Sequence, residues 1–478
     1  MDTASFQFVL FGLAIALVSN LNRSWVWRST VLLLASFTFI GLVTHSPLVL
    51  IPLAAFLLLG YACLLMLERG WSRHSAWSIL AILLVYIWLK KYTFLPHGIF
   101  LHSPYFTLGL SYVLFRVLHL IIESGSSDKK QHIGFIDYLL YTLNFTTFVS
   151  GPIQRYDEFA RDQFAQQPIR LGPRVVGLQL ERIIRGFFKV NVLAMLLHAV
   201  QKDALARLSH PLPLSLRLYS AFELVILPPF FVYANFSGYI DIVIALARLM
   251  RVRLPENFDR PFSASSFLDF WNRWHITLST WLKTYVYNPL LVLLMRRTSS
   301  RTLQPFLGVF CFFVTFFLVG VWHGRTSEFL IFGVLLGAGV SINKLWQELL
   351  VRVIGRQSYK ALAKNFTYIA FARGLTFSWF ALTNFWFWLD WKQLDEIYSA
   401  LGLVSWLCVW AGVWLCATIV LASWELLRTS LLSIKTSEGP VLTHRYARVA
   451  YASVFGLISV VLTLLLSQPT PPVIYKAF

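Results

Sequence analysis

Long apolar runs separated by short polar stretches recur along almost the whole chain. A membrane-spanning helix needs about 20 mostly apolar residues, and the pattern predicts spans at residues 5–21, 29–45, 48–67, 75–95, 104–122, 135–152, 217–249, 304–323, 328–350, 366–389, 401–424 and 449–468. The expected fold class is all-α, a polytopic integral membrane protein with about 10–12 transmembrane helices. Pro228, Pro229 and Gly238 interrupt the run at 217–249, which predicts one kinked helix or two shorter ones. The run at 6–21 has no basic stretch before it and no small-residue cleavage site after it, so it reads as a retained first span.

Two stretches are amphipathic. In 174–191, Arg182, Arg185 and Lys189 share a helical face opposite Val176, Leu180, Ile183, Ile184 and Phe187, the pattern of a helix lying in the headgroup layer. In 267–285, Trp271, Trp274, Leu278, Trp281, Leu282 and Tyr285 form an aromatic face, with Arg273, Thr277, Thr280 and Thr284 on the polar side. Asp269 and Arg273 have the i, i+4 spacing of an ion pair. The segment 123–131 (Glu-Ser-Gly-Ser-Ser-Asp-Lys-Lys-Gln) is the clearest loop. Without a repeat or low-complexity linker, residues 1–478 read as one membrane-embedded domain.

Composition supports this picture. Only 13% of the 478 residues are charged while 57% are hydrophobic, against about 25% charge in an ordinary soluble domain. A formal charge of +19 in a soluble protein would point to nucleic acid. Here Lys and Arg sit in short segments between apolar runs, such as Lys90-Lys91, Lys129-Lys130, Arg296-Arg297 and the stretch 352–364, as the positive-inside bias places them. The basic loops therefore face anionic lipid, and no nucleic-acid partner is expected. Cys63, Cys311, Cys408 and Cys416 lie in or beside apolar segments without metal-ligand spacing, so they read as packing residues and no metal is expected.

Eleven histidines are present. His45, His74, His97, His102, His132, His210 and His444 lie near loops or span ends, and His119 and His198 on apolar helices can be satisfied by one hydrogen bond each. His323 is different. It ends an almost purely apolar run and is bracketed by Gly320 and Gly324, which admit a close approach of backbone or substrate. An ionisable group at membrane depth is a functional candidate by default, and a desolvated imidazole stays neutral and able to accept a proton. The alternative is a helix-end histidine bonded to a carbonyl. His275, in the densest mixture of aromatic and polar groups, also fits a structural role in an interfacial helix. Zinc hydrolase, nucleotide-binding and serine hydrolase motifs have no local support.

Five ordered blocks carry a resemblance. They are 148–155 (Phe-Val-Ser-Gly-Pro-Ile-Gln-Arg), 235–241 (Asn-Phe-Ser-Gly-Tyr-Ile-Asp), 254–262 (Leu-Pro-Glu-Asn-Phe-Asp-Arg-Pro-Phe), 270–282 (Phe-Trp-Asn-Arg-Trp-His-Ile-Thr-Leu-Ser-Thr-Trp-Leu) and 320–324 (Gly-Val-Trp-His-Gly). The chain resembles the membrane-bound O-acyltransferase family over a core of 148–324, within the bacterial branch that includes alginate O-acetyltransferase and the teichoic acid D-alanyl transfer protein. The resemblance implies spanning, interfacial or re-entrant helices around a central tunnel. It implies His323 as the residue required for acyl transfer and His275 as a supporting position. Trp322, Trp274, Arg273, Asn272, Gly320 and Gly324 then become candidates for the passage that holds substrate. After Tyr287-Asn-Pro-Leu-Leu this chain lacks the Gly-Gly turn usual in alginate-type members.

The expectation that follows is a bacterial inner-membrane enzyme moving an acetyl group from cytoplasmic acetyl-CoA toward hydroxyls of an exported polysaccharide. His323 acts as base, and a periplasmic acetyl-transferring partner protein completes the transfer. Arg155, Arg182, Arg185 and Lys189 are candidate contacts for donor phosphates, or ordinary headgroup contacts. Two rivals remain: D-alanyl transfer from a carrier protein, and a transporter or flippase with a proton-relaying His323, for which the broken 217–249 run gives some support.

Overall fold

A computed structural model describes residues 5–44, 46–101, 105–126, 132–298, 300, 302–436, 439–440 and 444–466. His45, His102, Lys129-Lys130 and much of the 123–131 loop lie outside them. The regular elements of the described residues are helices apart from a two-residue antiparallel ladder, Lys435–Thr436 with Gly439–Pro440. An all-helical answer is what hydrocarbon demands, since a helix satisfies its own backbone donors and acceptors where no water can. Among the described residues eight helices are long and apolar enough to cross a membrane, and two shorter apolar helices, Phe6–Ser19 and Ser75–Lys90, bring the set to the lower end of the expected number.

Contacts divide the described residues into two units, one drawn from 1–190 and 236–256, the other from 191–235 and 257–471. The first holds α1 (Phe6–Ser19), α2 (Trp25–Val43), α3 (Ile51–Glu68), α4 (Ser75–Lys90), α5 (Leu110–Ser126), α6 (Phe135–Thr142), α7 (Phe145–Phe148), α8 (Tyr156–Gln163) and α9 (Pro173–Phe188). The second holds α10 (Met195–Leu208), much of α11 (Leu214–Leu249), α12 (Phe267–Trp271), α13 (Ile276–Leu282), α14 (Asn288–Arg297), α15 (Gln304–His323), α16 (Glu328–Ile354), α17 (Arg356–Leu362), α18 (Phe366–Trp388), α19 (Trp391–Ser433) and α20 (Arg445–Leu466).

Three sequence expectations need correction. The run at 135–152 is not one span: α6 stops at Thr142 and α7 covers four residues. The buried Arg116 guanidinium stabilises the break by donating to the carbonyls of Thr142, at 2.7 Å, and Thr147, backbone acceptors that a broken helix would otherwise leave unpaired. The amphipathic stretch at 174–191 is not a separate helix either. It continues from α9 through a π-helical segment, Lys189–Ala194, into α10, and the combined 36 residues are apolar enough to span. The stretch at 267–285 is two short helices, α12 and α13, with a break between them. By contrast, α11 runs unbroken as one element through Pro228 and Pro229.

In the second unit α15 and α16 cross at very close range. A methyl group on Gly320 would lie 2.1 Å from Gly333 Cα, and one on Gly337 would lie 2.8 Å from the Phe313 carbonyl oxygen. Small residues that let backbones approach are a recurrent device for helix association in lipid, where the hydrophobic effect cannot drive it. Elsewhere in this unit α10, α11, α18 and α19 bury a cluster including Val225, Phe377, Phe385, Val409 and Val413. α19 opens with a reciprocal cap between Asp390 and Gln393 and kinks at Gly402, whose φ is +71°.

Candidate functional site

His323 is the last residue of α15 and is 4% exposed. Its ring packs against Trp322 at 4.8 Å, Phe332 of α16 at 5.7 Å and Phe387 of α18 at 5.6 Å between centroids. Phe332 and Phe387 also touch each other, at 5.3 Å. Three helices thus enclose the imidazole in aromatic surface.

His275 lies in the same unit and is 1% exposed. Its backbone is left-handed, φ +45° and ψ +52°, a conformation that costs a non-glycine residue on the order of 1–3 kcal/mol and persists only where its surroundings enforce it. The enforcing contacts come from 257–259. Asp259 N donates to Arg273 O at 2.9 Å, Phe258 and Trp274 form an antiparallel bridge, and Ile276 N donates to Asn257 O at 3.0 Å. The fully buried Asn257 then turns its side-chain oxygen to Thr277, accepting from the backbone N–H at 3.1 Å and the hydroxyl at 2.9 Å. This loop-to-loop pairing breaks the helix that periodicity predicts. Burial pushes the His275 imidazole down to about 3 from its ordinary 6.5, so it is neutral near pH 7.

Trp322 links the two histidines, its ring 6.4 Å from His275 and 4.8 Å from His323. Trp274 is a wall residue, stacked on Phe270 at 5.5 Å and edge-on to Phe380 at 4.9 Å. Arg273 pairs with Asp269 at 3.0 Å, as its spacing predicts, and reaches Asp259 at 3.7 Å. Asn272 is exposed and borders a small cavity of about 50 Å³ running along α15 past Val319, one turn before His323. Gly320 and Gly324 face protein: Gly320 receives the α16 backbone and Gly324 the Phe329 ring. Their smallness serves helix packing beside the imidazole.

The four candidate donor contacts all fall in the first unit, around carboxylates. Lys189 and Arg182 bond Asp241 at 2.8 and 2.9 Å, Arg185 lies 3.5 Å from it, and Arg182 also forks onto Glu256 at 2.5–2.6 Å. Arg155 sits apart from these, 3.3 Å from Asp157 and 3.6 Å from Glu123. Among the described residues no three His, Cys, Asp or Glu side chains come together as a metal site. Sequence reasoning missed Phe332, Phe387 and Asn257. Asn257 lies inside a matching block, but its role depends on a partner twenty residues away.

A family model described as the membrane-bound O-acyltransferase family matches residues 76–360, wider than the 148–324 core read from motifs. The chain is 31% identical over 253 residues to a teichoic acid D-alanyltransferase of Streptococcus thermophilus, covering 50% of this chain and 57% of that protein. It is 28% identical over 261 residues to a teichoic acid D-alanyltransferase of Bacillus subtilis, covering 54% and 63%. It is 30% identical over 241 residues to a "Probable alginate O-acetylase" of Pseudomonas fluorescens, covering 50% and 44%. The matched stretch therefore spans about half the length of these relatives.

Proposed function

The chain belongs to the membrane-bound O-acyltransferase family, and on that premise we propose that it transfers an acyl group, acetyl from cytoplasmic acetyl-CoA, toward hydroxyls of an exported or cell-surface polysaccharide, with His323 as base. The observation that carries this reading is the buried imidazole at the end of α15, walled by Trp322, Phe332 and Phe387. The base takes the proton of an attacking hydroxyl. The oxygen adds to the thioester carbonyl, and the tetrahedral adduct collapses with loss of the thiolate, which receives the proton. Proton transfer by a positioned base contributes about 10²–10⁴ in rate. The aromatic enclosure keeps water from competing for the thioester.

His275 is the proposed second member. Its fixed backbone and its edge-on contact with Trp322 suit a residue that positions the wall of the passage. The proposed setting is the bacterial inner membrane, with a separate periplasmic protein completing delivery to the polymer. Among the proposed donor contacts, Arg185 is the most exposed of the cations around Asp241, which suits it to meet phosphate.

A D-alanyl donor is the second reading, favoured by the similarity to teichoic acid D-alanyltransferases over a stretch as long as that shared with the acetylases. Membranes containing the chain are offered radiolabelled acetyl-CoA and, separately, a D-alanyl carrier-protein thioester, each with the polysaccharide acceptor. Label reaching polymer from acetyl-CoA alone supports the acetyl reading. Label from the carrier thioester alone replaces it with D-alanyl transfer, and unmodified polymer crossing the membrane without label would point to transport.

A further inference from the structure

We propose that a cavity in the second unit is a binding site for an anionic phospholipid, separate from the His323 centre. The cavity has a volume of about 580 Å³ and lies among α16, α17, α18 and α19, with Ser265 and Ser266 at one side. Its volume falls within the roughly 300–1,000 Å³ of small-molecule sites, and its lining is mainly apolar and aromatic.

Two independent observations identify the occupant. The first is where the cavity opens. Four of its lining side chains, Ile342, Trp346, Phe371 and Leu375, are 58%, 51%, 46% and 54% exposed, and they belong to α16, which is long and apolar enough to span, and to α18 packed against it. In a bilayer those surfaces meet hydrocarbon, so a chain enters sideways from lipid. The second is charge. Tyr359 and Ala363 line the cavity, and α17 with the turn that follows it carries Arg356, Lys360 and Lys364, all exposed, with no ion-pair partner among the described residues. A basic rim on an apolar, laterally open cavity complements a molecule with a phosphate head and an acyl tail. Basic segments beside a span also mark the cytoplasmic leaflet, where anionic lipid is concentrated.

Polar groups inside the cavity are placed for the glycerol ester region. Trp346 Nε1 donates to Tyr368 Oη at 3.3 Å, and the Gln347 amide lies 3.5 Å from Asn343 Oδ1. Both pairs sit at the end of α16 nearest the basic rim, between the proposed headgroup and tail positions.

The test uses the whole purified protein in detergent, with native mass spectrometry and thermal melting in the presence of phosphatidylglycerol or phosphatidylcholine of equal chain length. Wild type retains phosphatidylglycerol preferentially and melts higher with it. The triple variant Arg356→Gln, Lys360→Gln, Lys364→Gln weakens phosphatidylglycerol retention by about 10- to 100-fold and brings the two lipids level. Ala372→Trp, which fills the cavity from α18, removes both. Equal retention of the two lipids by wild type, or an unchanged preference in the triple variant, overturns the proposal. Displacement of the lipid by inorganic phosphate or by free coenzyme A at equal concentration also overturns it, assigning the rim to a soluble anion or to the thioester donor. Lipid retention is read without turnover, so it stands or fails apart from the acyltransferase reading.

Discussion

Adding one methyl group at Gly320 tests whether the α15–α16 crossing sets the position of His323. The Cβ of Gly320→Ala falls 2.1 Å from Gly333 Cα and 2.3 Å from Gly333 N, against 3.4 Å for ordinary contact. Both obstacles are backbone atoms of a helix, so no rotamer change relieves them and the two helices must separate locally by more than about 1 Å. Overpacking of a tight interior costs about 1–3 kcal/mol, occasionally more, and a rigid obstacle places this site at the upper end. The displacement falls three residues before His323, whose walls include Phe332, next to Gly333 on the opposing helix. A 1 Å misplacement of a reacting group can cost about 10²-fold. The expected result is a lowered melting temperature in detergent together with acyl transfer reduced by about two orders of magnitude. Gly177→Ala in α9, where a methyl group meets nothing within 4 Å, serves as control and is expected to be neutral or stabilising by up to about 1 kcal/mol. Wild-type stability and activity in Gly320→Ala would refute the reasoning.

Other outcomes follow from the same geometry. Asn257→Ala removes the acceptor held by Thr277 N and Oγ1 and leaves a buried donor unpaired, at a cost of about 1–3 kcal/mol. Asn257→Asp, which keeps the oxygen, should retain more activity in the transfer assay than Asn257→Ala. His275 stays neutral in the folded chain down to about pH 3, whereas the unfolded chain takes up a proton near pH 6.5. Its contribution is therefore full above pH 6.5 and is lost as pH falls, by about 2 kcal/mol at pH 5. Melting at pH 7 and pH 5 should show this loss, and His275→Gln should reduce it. Asp241→Asn leaves Arg182, Arg185 and Lys189 around a neutral side chain and is expected to destabilise by about 3–5 kcal/mol, with partial recovery when Arg185→Gln is added, read as yield of folded protein.

Most of the spans, and the burial of the two histidines, were legible because both depend on local sequence. A 20-residue apolar run reports its own burial, and a histidine closing such a run is conspicuous. What escaped depends on residues distant in the chain. The break at His275 is imposed by 257–259, and nothing in the 267–285 periodicity marks a left-handed residue. The stop at Thr142 is held by Arg116 from α5. The smallness of Gly320 and Gly324 stands in the sequence, but only the partner surfaces, Gly333 and Phe329, show what they admit. Phe387, a wall of the site, lies beyond the motif blocks, on a helix that hydropathy marks only as a span.

The central claim is that the His323 imidazole is the base for acyl transfer. Its direct test is the rate of labelled acyl transfer to polymer in membranes holding equal amounts of folded wild type and His323→Ala. The account predicts a fall of about 10²–10⁴ with membrane insertion and melting temperature close to wild type. Transfer at the wild-type rate by the His323→Ala chain would contradict it.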